Sequence, residues 1–225
     1  MHPDNIYLLI YSTLREEFGH LGWWPAQTPF EIVAGAVLTQ NTSWKNVEKA
    51  VGNLRNAGRL TPARMDAAEE VELQQLIRPA GYYRQKSRRL KTIASWIMET
   101  CGDDVHLRAL ADTGAHTLRE DLLQIKGIGP ETADSIILYA LNKPVFVVDA
   151  YTARILGRHG LIAPESGYGE IQAELESGLP RDAELFGDFH AQLVELGKRF
   201  CKKTAPKCSE CPLKPLLGKG EVEPF

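Results

Sequence analysis

The chain contains 225 residues, of which 44% are hydrophobic and 24% are charged, and its formal net charge at pH 7 is −3. This composition excludes a low-complexity chain and suits one large or two small folded domains. The sequence has no apolar run long enough to span a bilayer, and no basic stretch followed by an apolar run opens it, so we expect neither a membrane span nor a signal peptide. A cytoplasmic protein is therefore predicted.

The first half of the chain has the spacing of amphipathic helices. Apolar residues step by three and four from Tyr7 to Phe18, which predicts a helix that ends at Gly19. The run Thr28-Pro29-Phe30-Glu31 combines a capping box with proline at the first helical position, and so predicts the start of a second helix. Glycine and proline separate four more predicted helices, at 43–56, 66–78, 84–100 and 107–111.

Three tryptophans, Trp23, Trp24 and Trp44, flank the two ends of the helix that begins after Thr28. Core packing is the commoner fate of tryptophan. Aromatic faces can also hold a flat base or attract a cation, so both interpretations stay open at this point.

Basic residues are concentrated in two clusters although the net charge is negative. The first cluster consists of Arg84, Lys86, Arg88, Arg89 and Lys91, and the second of Lys198, Arg199, Lys202, Lys203 and Lys207. A negative net charge argues against a nucleic-acid-binding protein, whereas local basic clusters provide the footprint that such a protein needs. Each cluster taken singly is also typical of a solvated helix face.

A helix, a glycine turn and a second helix are predicted around Gly127 and Gly129. Thr117 and Glu120 form a capping box for the first helix, and Pro130 takes the first position of the second. The apolar residues of both helices recur at helical spacing: Leu118, Leu122, Ile125, Ile136, Ile137 and Ala140. Free amides at such a turn and at the following helix N-terminus form a phosphate site that does not depend on base sequence.

Asp149 follows the apolar run from Pro144 to Val148 and directly precedes a predicted helix, so its commonest role would be that of an N-cap. Val145–Val148 looks strand-like but is too short to found a sheet. A carboxylate beside apolar surface also interacts strongly with a developing cation, because the local dielectric is low. Asp149 is therefore a candidate to stabilise a cation that develops during a reaction.

These features together resemble the helix-hairpin-helix DNA glycosylases of the endonuclease III superfamily. The resemblance covers nearly the whole chain through four elements in the family's order: the turn Thr39-Gln40-Asn41, the hairpin LLQIKGIGPETA, the triplet Val147-Val148-Asp149, and the Cys-rich tail from Cys201. The run WWP, together with LTQN and a following aromatic residue, is most similar to the 3-methyladenine glycosylase branch.

The resemblance implies an all-α protein with two helical domains and a central cleft. Residues 26–143 would form a helical barrel domain that carries the helix-hairpin-helix motif. Residues 1–25 and 144–225 would form the second domain, with the Cys-containing loop at its C-terminal end and Asp149 in the cleft. The implied partner is double-stranded DNA with a damaged base, bound by a monomer that is associated with the nucleoid.

The resemblance also assigns roles to single residues. Asp149 would be the catalytic carboxylate, and Gln40 would enter the space that a flipped base leaves in the DNA. Family members that also cut the strand have an imine-forming Lys where this chain has Glu131, which stands 149 − 131 = 18 residues before the Asp. A carboxylate cannot form an imine, so hydrolysis without strand cleavage is predicted. Glu131 would otherwise be a first-turn acid that complements the helix dipole.

Further assignments concern DNA contact. Lys126, Gly127 and Gly129 would hold the phosphate backbone at the hairpin, although a substitute nucleophilic role for Lys126 stays open. Trp23, Trp24 and Trp44 would form the pocket for the base.

The C-terminal cysteines depart from the family's pattern. Cys201, Cys208 and Cys211 have the spacing of its [4Fe–4S] signature, but Leu217 stands where the fourth Cys is expected. A cluster completed by another ligand, a zinc site, and a metal-free loop held by prolines are the three alternatives.

The sequence therefore predicts a monofunctional DNA glycosylase of base excision repair, acting on an alkylated purine such as 3-methyladenine. The alternatives are a glycosylase for oxidised or mismatched pyrimidines and a non-catalytic DNA-binding relative.

Overall fold

The computed structural model describes residues 5–216 and divides them into two compact units. Unit A contains Trp24–Lys143, and unit B contains the described residues up to Trp23 and from Pro144 onward. Twelve α-helices and several short 3-10 turns make up the regular structure, and residues 5–216 contain no strand. The all-α prediction is thus confirmed. None of the helices in this range is long and apolar enough to cross a membrane.

Unit A is built from eight helices. In chain order they are α2 (Pro29–Thr39), α3 (Trp44–Asn56), α4 (Pro62–Asp66), α5 (Glu70–Leu76), α6 (Tyr83–Cys101), α7 (Arg108–Asp112), α8 (Ala115–Gln124) and α9 (Pro130–Ser135), the last continuing as a π turn over Ile136–Ala140. Helix α2 is buried along most of its length and packs against α3, α6 and the π turn. It begins as predicted, because the Thr28 side chain accepts a hydrogen bond from the Glu31 amide at 3.2 Å. The reciprocal half of the predicted capping box does not form, since the Glu31 carboxylate pairs with Arg55 and accepts from the Gln27 amide instead.

Two predictions about helix starts in unit A are wrong. The single helix expected at 66–78 is instead α4 and α5, because Thr61 caps an earlier helix through the Arg64 amide at 3.2 Å. The capping box expected at Thr117 and Glu120 does not form. Helix α8 begins after Gly114, which places Thr117 already inside the first turn, and Glu120 lies 3.5 Å from His116 instead.

Unit B contains α1 (Ile6–Phe18), α10 (Ala150–Arg158), α11 (Tyr168–Gly178) and α12 (Ala183–Arg199). Helix α12 is the centre of this unit, since both α1 and α10 pack against it. Two glycines permit close packing, because a Cβ on Gly197 would overlap the Tyr151 ring and one on Gly178 would overlap the Tyr7 ring. Helix α1 ends before Gly19, as predicted.

The extended segment Val145–Val148 has side-chain partners instead of a neighbouring strand. The Phe146 amide donates to the Glu176 carboxylate at 2.8 Å, and the Phe146 carbonyl accepts from the Gln172 amide at 2.7 Å. Both partners lie on α11. These side chains satisfy the backbone of Phe146, and the Tyr168 hydroxyl accepts from the Val148 amide at 3.4 Å. The segment therefore stays extended without a paired strand and leads directly into Asp149.

Candidate functional site

Asp149 is the N-cap of α10, as its sequence context predicted. Its Oδ1 accepts hydrogen bonds from the backbone amide and from the hydroxyl of Thr152, at 2.8 and 3.0 Å. Val147 and Val148, which precede it, are buried. The local sequence therefore fixes one carboxylate oxygen at the start of a helix and surrounds the group with apolar residues.

The other carboxylate oxygen faces a histidine that the sequence did not single out. Oδ2 of Asp149 lies 3.7 Å from Nε2 of His190 on α12, and only 13% of the Asp149 side chain and 7% of the His190 side chain are exposed. Burial by itself raises the pKa of Asp149, but attraction to the His190 imidazole and the two Thr152 hydrogen bonds outweigh it, so the pKa lies below its ordinary value. The carboxylate is consequently ionised at neutral pH.

One sequence signal could have identified His190. It stands four residues after Phe186 and three before Leu193, on the apolar face of an amphipathic helix. A histidine at such a position requires a polar partner when it is buried. The partner lies 41 residues away in the chain (190 − 149), so local patterns cannot supply it.

The glycine hairpin in unit A has the predicted form. Helix α8 ends at Gln124, Gly127 adopts a φ of +93°, and Gly129 precedes Pro130 at the start of α9. A Cβ on Gly127 would overlap the Arg89 side chain, so glycine is required here for packing as well as for conformation. Lys126, Gly127 and Glu131 are exposed, the last in the first turn of α9.

Gln40 contacts the hairpin directly, although 87 residues separate it from Gly127. Its side-chain nitrogen donates to the Gly127 carbonyl at 3.1 Å and to the Thr132 hydroxyl at 2.9 Å. Its side-chain oxygen accepts a hydrogen bond from Arg89. Gln40, which the resemblance assigns to the space left by a flipped base, is thus held by the hairpin, which the resemblance assigns to phosphate contact.

Lys86 is not part of a basic surface, contrary to the sequence prediction. It is 1% exposed, and its ammonium donates to the carbonyls of Leu38 and Ala80 at 2.9 and 2.8 Å. Burial, aided by the charge of Arg89, lowers the pKa of Lys86 to about 8. Lys86 therefore joins the end of α2, two residues before Gln40, to the turn that precedes Tyr82.

Tyr82 is a second residue that the sequence did not identify. Its side chain is 65% exposed, and its backbone is left-handed with φ +44°. A bulky residue in this conformation stores strain, and such strain concentrates at binding sites.

Three of the four remaining basic residues of the first cluster border a groove of about 660 Å³ together with the hairpin: Arg88, Arg89 and Lys91. Its lining includes Arg88, Arg89, Lys126 and Gly127. Arg88 is paired with Glu70 at 3.1 Å. The groove has the positive charge, and at Gly127 the exposed glycine turn, that suit a phosphate chain.

Two of the three predicted pocket tryptophans come together in unit A. Trp24 meets Trp44 edge-to-face with ring centroids 5.1 Å apart, and meets Tyr139 at 5.3 Å. The absence of a Cβ on Gly35 lets the Trp24 indole approach α2. Both tryptophans line a pocket of about 220 Å³ whose charged lining consists of Glu48 and the ion pair between Glu31 and Arg55. Trp23 belongs to unit B, where Lys198 lies 5.1 Å from its ring centre.

The loop after α12 is held by two arginines of α10. Arg158 donates to the Cys201 sulfur at 3.2 Å and to the carbonyls of Lys202 and Lys203, while Arg154 donates to the Cys201 carbonyl at 2.8 Å. Cys208 begins a 3-10 turn, and burial raises the pKa of the Cys211 thiol.

The described residues do not form a complete metal centre. Between residues 5 and 216, no group of three or more His, Cys, Asp or Glu side chains is arranged to hold a metal ion. Leu217, at the predicted fourth cluster position, lies outside the described residues. Three thiols do not satisfy the four-ligand requirement of a [4Fe–4S] cluster, so the described residues do not fit that group by themselves.

Comparison with known proteins agrees with this geometry. A family model described as "HhH-GPD superfamily base excision DNA repair protein" matches residues 34–181. MJ1434 of Methanocaldococcus jannaschii, provisionally named a DNA repair glycosylase, is 47% identical over 205 residues, which cover 91% of this chain and 92% of that protein.

Two solved structures are similar over most of the chain. One is the H. pylori 3-methyladenine DNA glycosylase MagIII bound to 1,N6-ethenoadenine, with a TM-score of 0.72 and 29% identity over 86% of this chain and 97% of that one. The other is a trapped covalent intermediate of Endonuclease III with DNA, with a TM-score of 0.79 and 25% identity over 93% of this chain and 92% of that one.

Proposed function

Because the chain belongs to the HhH-GPD superfamily of base excision DNA repair proteins, and is therefore a DNA-binding DNA glycosylase, we propose that it hydrolyses the N-glycosidic bond of an alkylated purine and leaves the strand intact. The observation that carries this proposal is the buried carboxylate of Asp149 at the start of α10, held by Thr152 and facing His190.

Asp149 would act on the transition state. As the bond from the sugar to the base breaks, positive charge develops on the sugar, and an ionised carboxylate in a low-dielectric environment stabilises that charge. The same carboxylate can orient the water that forms the new bond to the sugar. An N3-alkylated adenine already carries positive charge and leaves readily, so stabilisation of the sugar is the main task of the protein.

Glu131 supports hydrolysis without strand cleavage. It occupies the first turn of α9, where the family's imine-forming Lys would stand, and it offers no amine. We assign it to the helix dipole and to no covalent step. If this assignment were wrong, Lys126 would be the first candidate for the amine that borohydride traps on DNA, because it is exposed and lies four residues before Pro130.

Unit A would bind the damaged strand. The exposed turn with Lys126, Gly127 and Gly129 suits the phosphate backbone, and Gln40 would fill the space left by the flipped nucleotide. To do so, Gln40 must exchange its bonds to Gly127, Thr132 and Arg89 for bonds to DNA. Tyr82 offers an exposed aromatic face for stacking against bases.

The preference for an alkylated purine rests on the aromatic pocket. Trp24 and Trp44 present electron-rich rings beside Glu48, whereas the charge of Glu31 is paired with Arg55. The aromatic rings are therefore the part of this surface that would attract a cationic base. The structural similarity to MagIII bound to 1,N6-ethenoadenine supports the same class of substrate. Trp23 remains a predicted member of the pocket.

The cluster is a separate proposal, and no step of the reaction depends on it. Cys201, Cys208 and Cys211 keep the family's spacing, and an additional ligand would have to complete a [4Fe–4S] centre. Iron and sulfide analysis after anaerobic purification decides between a cluster, zinc and a metal-free loop. We also propose that the protein acts on nucleoid DNA in the cytoplasm as a monomer.

A panel of duplexes tests the function, each duplex carrying one damaged base and methylated DNA being included as the source of N3-methyladenine. We expect release of N3-methyladenine and an intact strand that breaks only on alkali treatment. Borohydride should trap no protein–DNA adduct, because the proposed nucleophile is water. Release confined to oxidised or mismatched pyrimidines would contradict the substrate, a trapped adduct would contradict the hydrolytic route, and no release from any duplex would contradict the enzyme itself.

A further inference from the structure

We propose that His190 is a positioning residue for Asp149: it holds the carboxylate in the ionised form and in the orientation that base release requires. This inference rests on the proposed glycosylase function, and it concerns a residue that neither the sequence motifs nor the family resemblance assigned.

The two oxygens of Asp149 have different neighbours: Thr152 binds Oδ1, and His190 faces Oδ2. The Thr152 amide and hydroxyl both bind Oδ1, so the helix cap fixes only that oxygen. Oδ2 faces Nε2 of His190 at 3.7 Å, which is beyond hydrogen-bond distance but within contact distance of the buried imidazole. An ordinary N-cap needs only one oxygen. In the proposal, His190 on α12 sets the rotation of the carboxylate about its own axis, because it is the group that faces Oδ2.

Burial creates the need for such a partner. A low-dielectric environment strengthens the attraction between the carboxylate and a cationic sugar, but it also favours the protonated acid, which cannot stabilise that sugar. His190 opposes this second effect, since its imidazole is the leading influence that lowers the pKa of Asp149 against burial. The pair thus keeps the carboxylate both shielded and charged.

Other charged groups around α12 have different partners. On the α1 side, Tyr11, Arg15 and His20 lie within 3.4 Å of the Asp188 carboxylate. On the α10 side, Arg154 and Arg158 bind the loop that contains Cys201. The groups that influence the pKa of Asp149 are His190 and Thr152.

The test uses two substitutions of His190 and one matched control in the full-length protein. His190→Leu removes the imidazole, and His190→Gln keeps a side-chain donor. His159→Gln changes another histidine of unit B, at the opposite end of α10. Single-turnover release of N3-methyladenine from methylated duplex DNA is measured against pH. In parallel, carbon NMR follows the titration of the Asp149 carboxyl group, which is identified by its loss in Asp149→Asn.

We expect His190→Leu to lower the release rate at neutral pH by about ten- to a hundredfold. Its acidic limb and its Asp149 titration should both move to higher pH, because the pKa rises when the imidazole is lost. His190→Gln should recover part of the rate, and His159→Gln should match the wild type.

A purely structural histidine would give a different result. An unchanged Asp149 titration in His190→Leu, or a rate that falls equally at all pH values, would overturn the proposal. If His190→Leu does not fold, His190→Gln decides in the same way. If the wild-type protein releases no base at all, the proposed function fails, while the carboxyl titration still supports or overturns the pairing of His190 with Asp149.

Discussion

The two basic clusters look alike in the sequence and have different environments in the structure. In the first cluster, on α6, Lys86 is buried and Lys91 donates to the carbonyls of Asp66 and Ala68. All five members of the second cluster are exposed: Lys198, Arg199, Lys202, Lys203 and Lys207. A run of positive charge therefore does not indicate how many of its members can meet DNA. In the first cluster, Lys86 and Lys91 instead donate hydrogen bonds to backbone carbonyls of neighbouring segments.

The largest expected effect comes from Lys86→Met. The substitution leaves the carbonyls of Leu38 and Ala80 buried without their donor, which should cost about 2 kcal/mol of unfolding free energy. Displacement of the Gln40 turn should also slow base release by about a hundredfold. Urea unfolding and single-turnover assays measure both. The matched control is Lys203→Met in the exposed cluster, which should leave both quantities unchanged when DNA is saturating.

A variant at Lys86 with wild-type stability and activity would remove the distinction between the two clusters. A loss of stability with undiminished base release would mean that Lys86 stabilises the fold but does not position the turn that contains Gln40.

A smaller effect concerns the pH dependence of stability. The pKa of Lys86 is lowered from 10.5 to about 8 in the folded protein, so the unfolded chain binds more protons between these values. The contribution of Lys86 to the unfolding free energy is therefore least favourable below pH 8, and it becomes more favourable as the pH rises toward 10.5. The difference in unfolding free energy between wild type and Lys86→Met should grow by about 1 kcal/mol from pH 8 to pH 9. A difference that stays constant over this range would mean that Lys86 is not desolvated.

The smallest expected effect is on salt dependence. If Lys203 contacts a phosphate, Lys203→Met should reduce the slope of log affinity against log salt by about one and weaken binding to all sequences equally. Lys86→Met should leave this slope unchanged, because a buried ammonium releases no counterion. Equal slopes for Lys203→Met and wild type would exclude Lys203 from the DNA contact.

Local sequence signals predicted the elements that local interactions determine. Thr28 and Asp149 cap helices as expected, and Gly127 adopts the left-handed conformation that the tight turn requires. The contacts that the sequence did not predict join residues that are far apart in the chain. His190 meets Asp149 across 41 residues, and Lys86 reaches Leu38 across 48, so no short window contains both partners.

The Thr117 capping box illustrates a different kind of error. The motif was present, but α8 begins two residues before Thr117, where it gains an additional half turn of helix without any side-chain cap. A capping motif indicates where a helix can begin, and packing against the rest of the fold determines which of the possible first residues is used.

Base release by Asp149→Asn tests the central claim most directly. The substitution keeps the size of the side chain and its capping oxygen but removes the negative charge, so folding and DNA affinity should be retained. Single-turnover release from methylated duplex DNA should fall by at least about a hundredfold, since the charge acts only on the transition state. Release at the wild-type rate, with the same affinity for DNA, would contradict the assignment of Asp149 as the catalytic carboxylate.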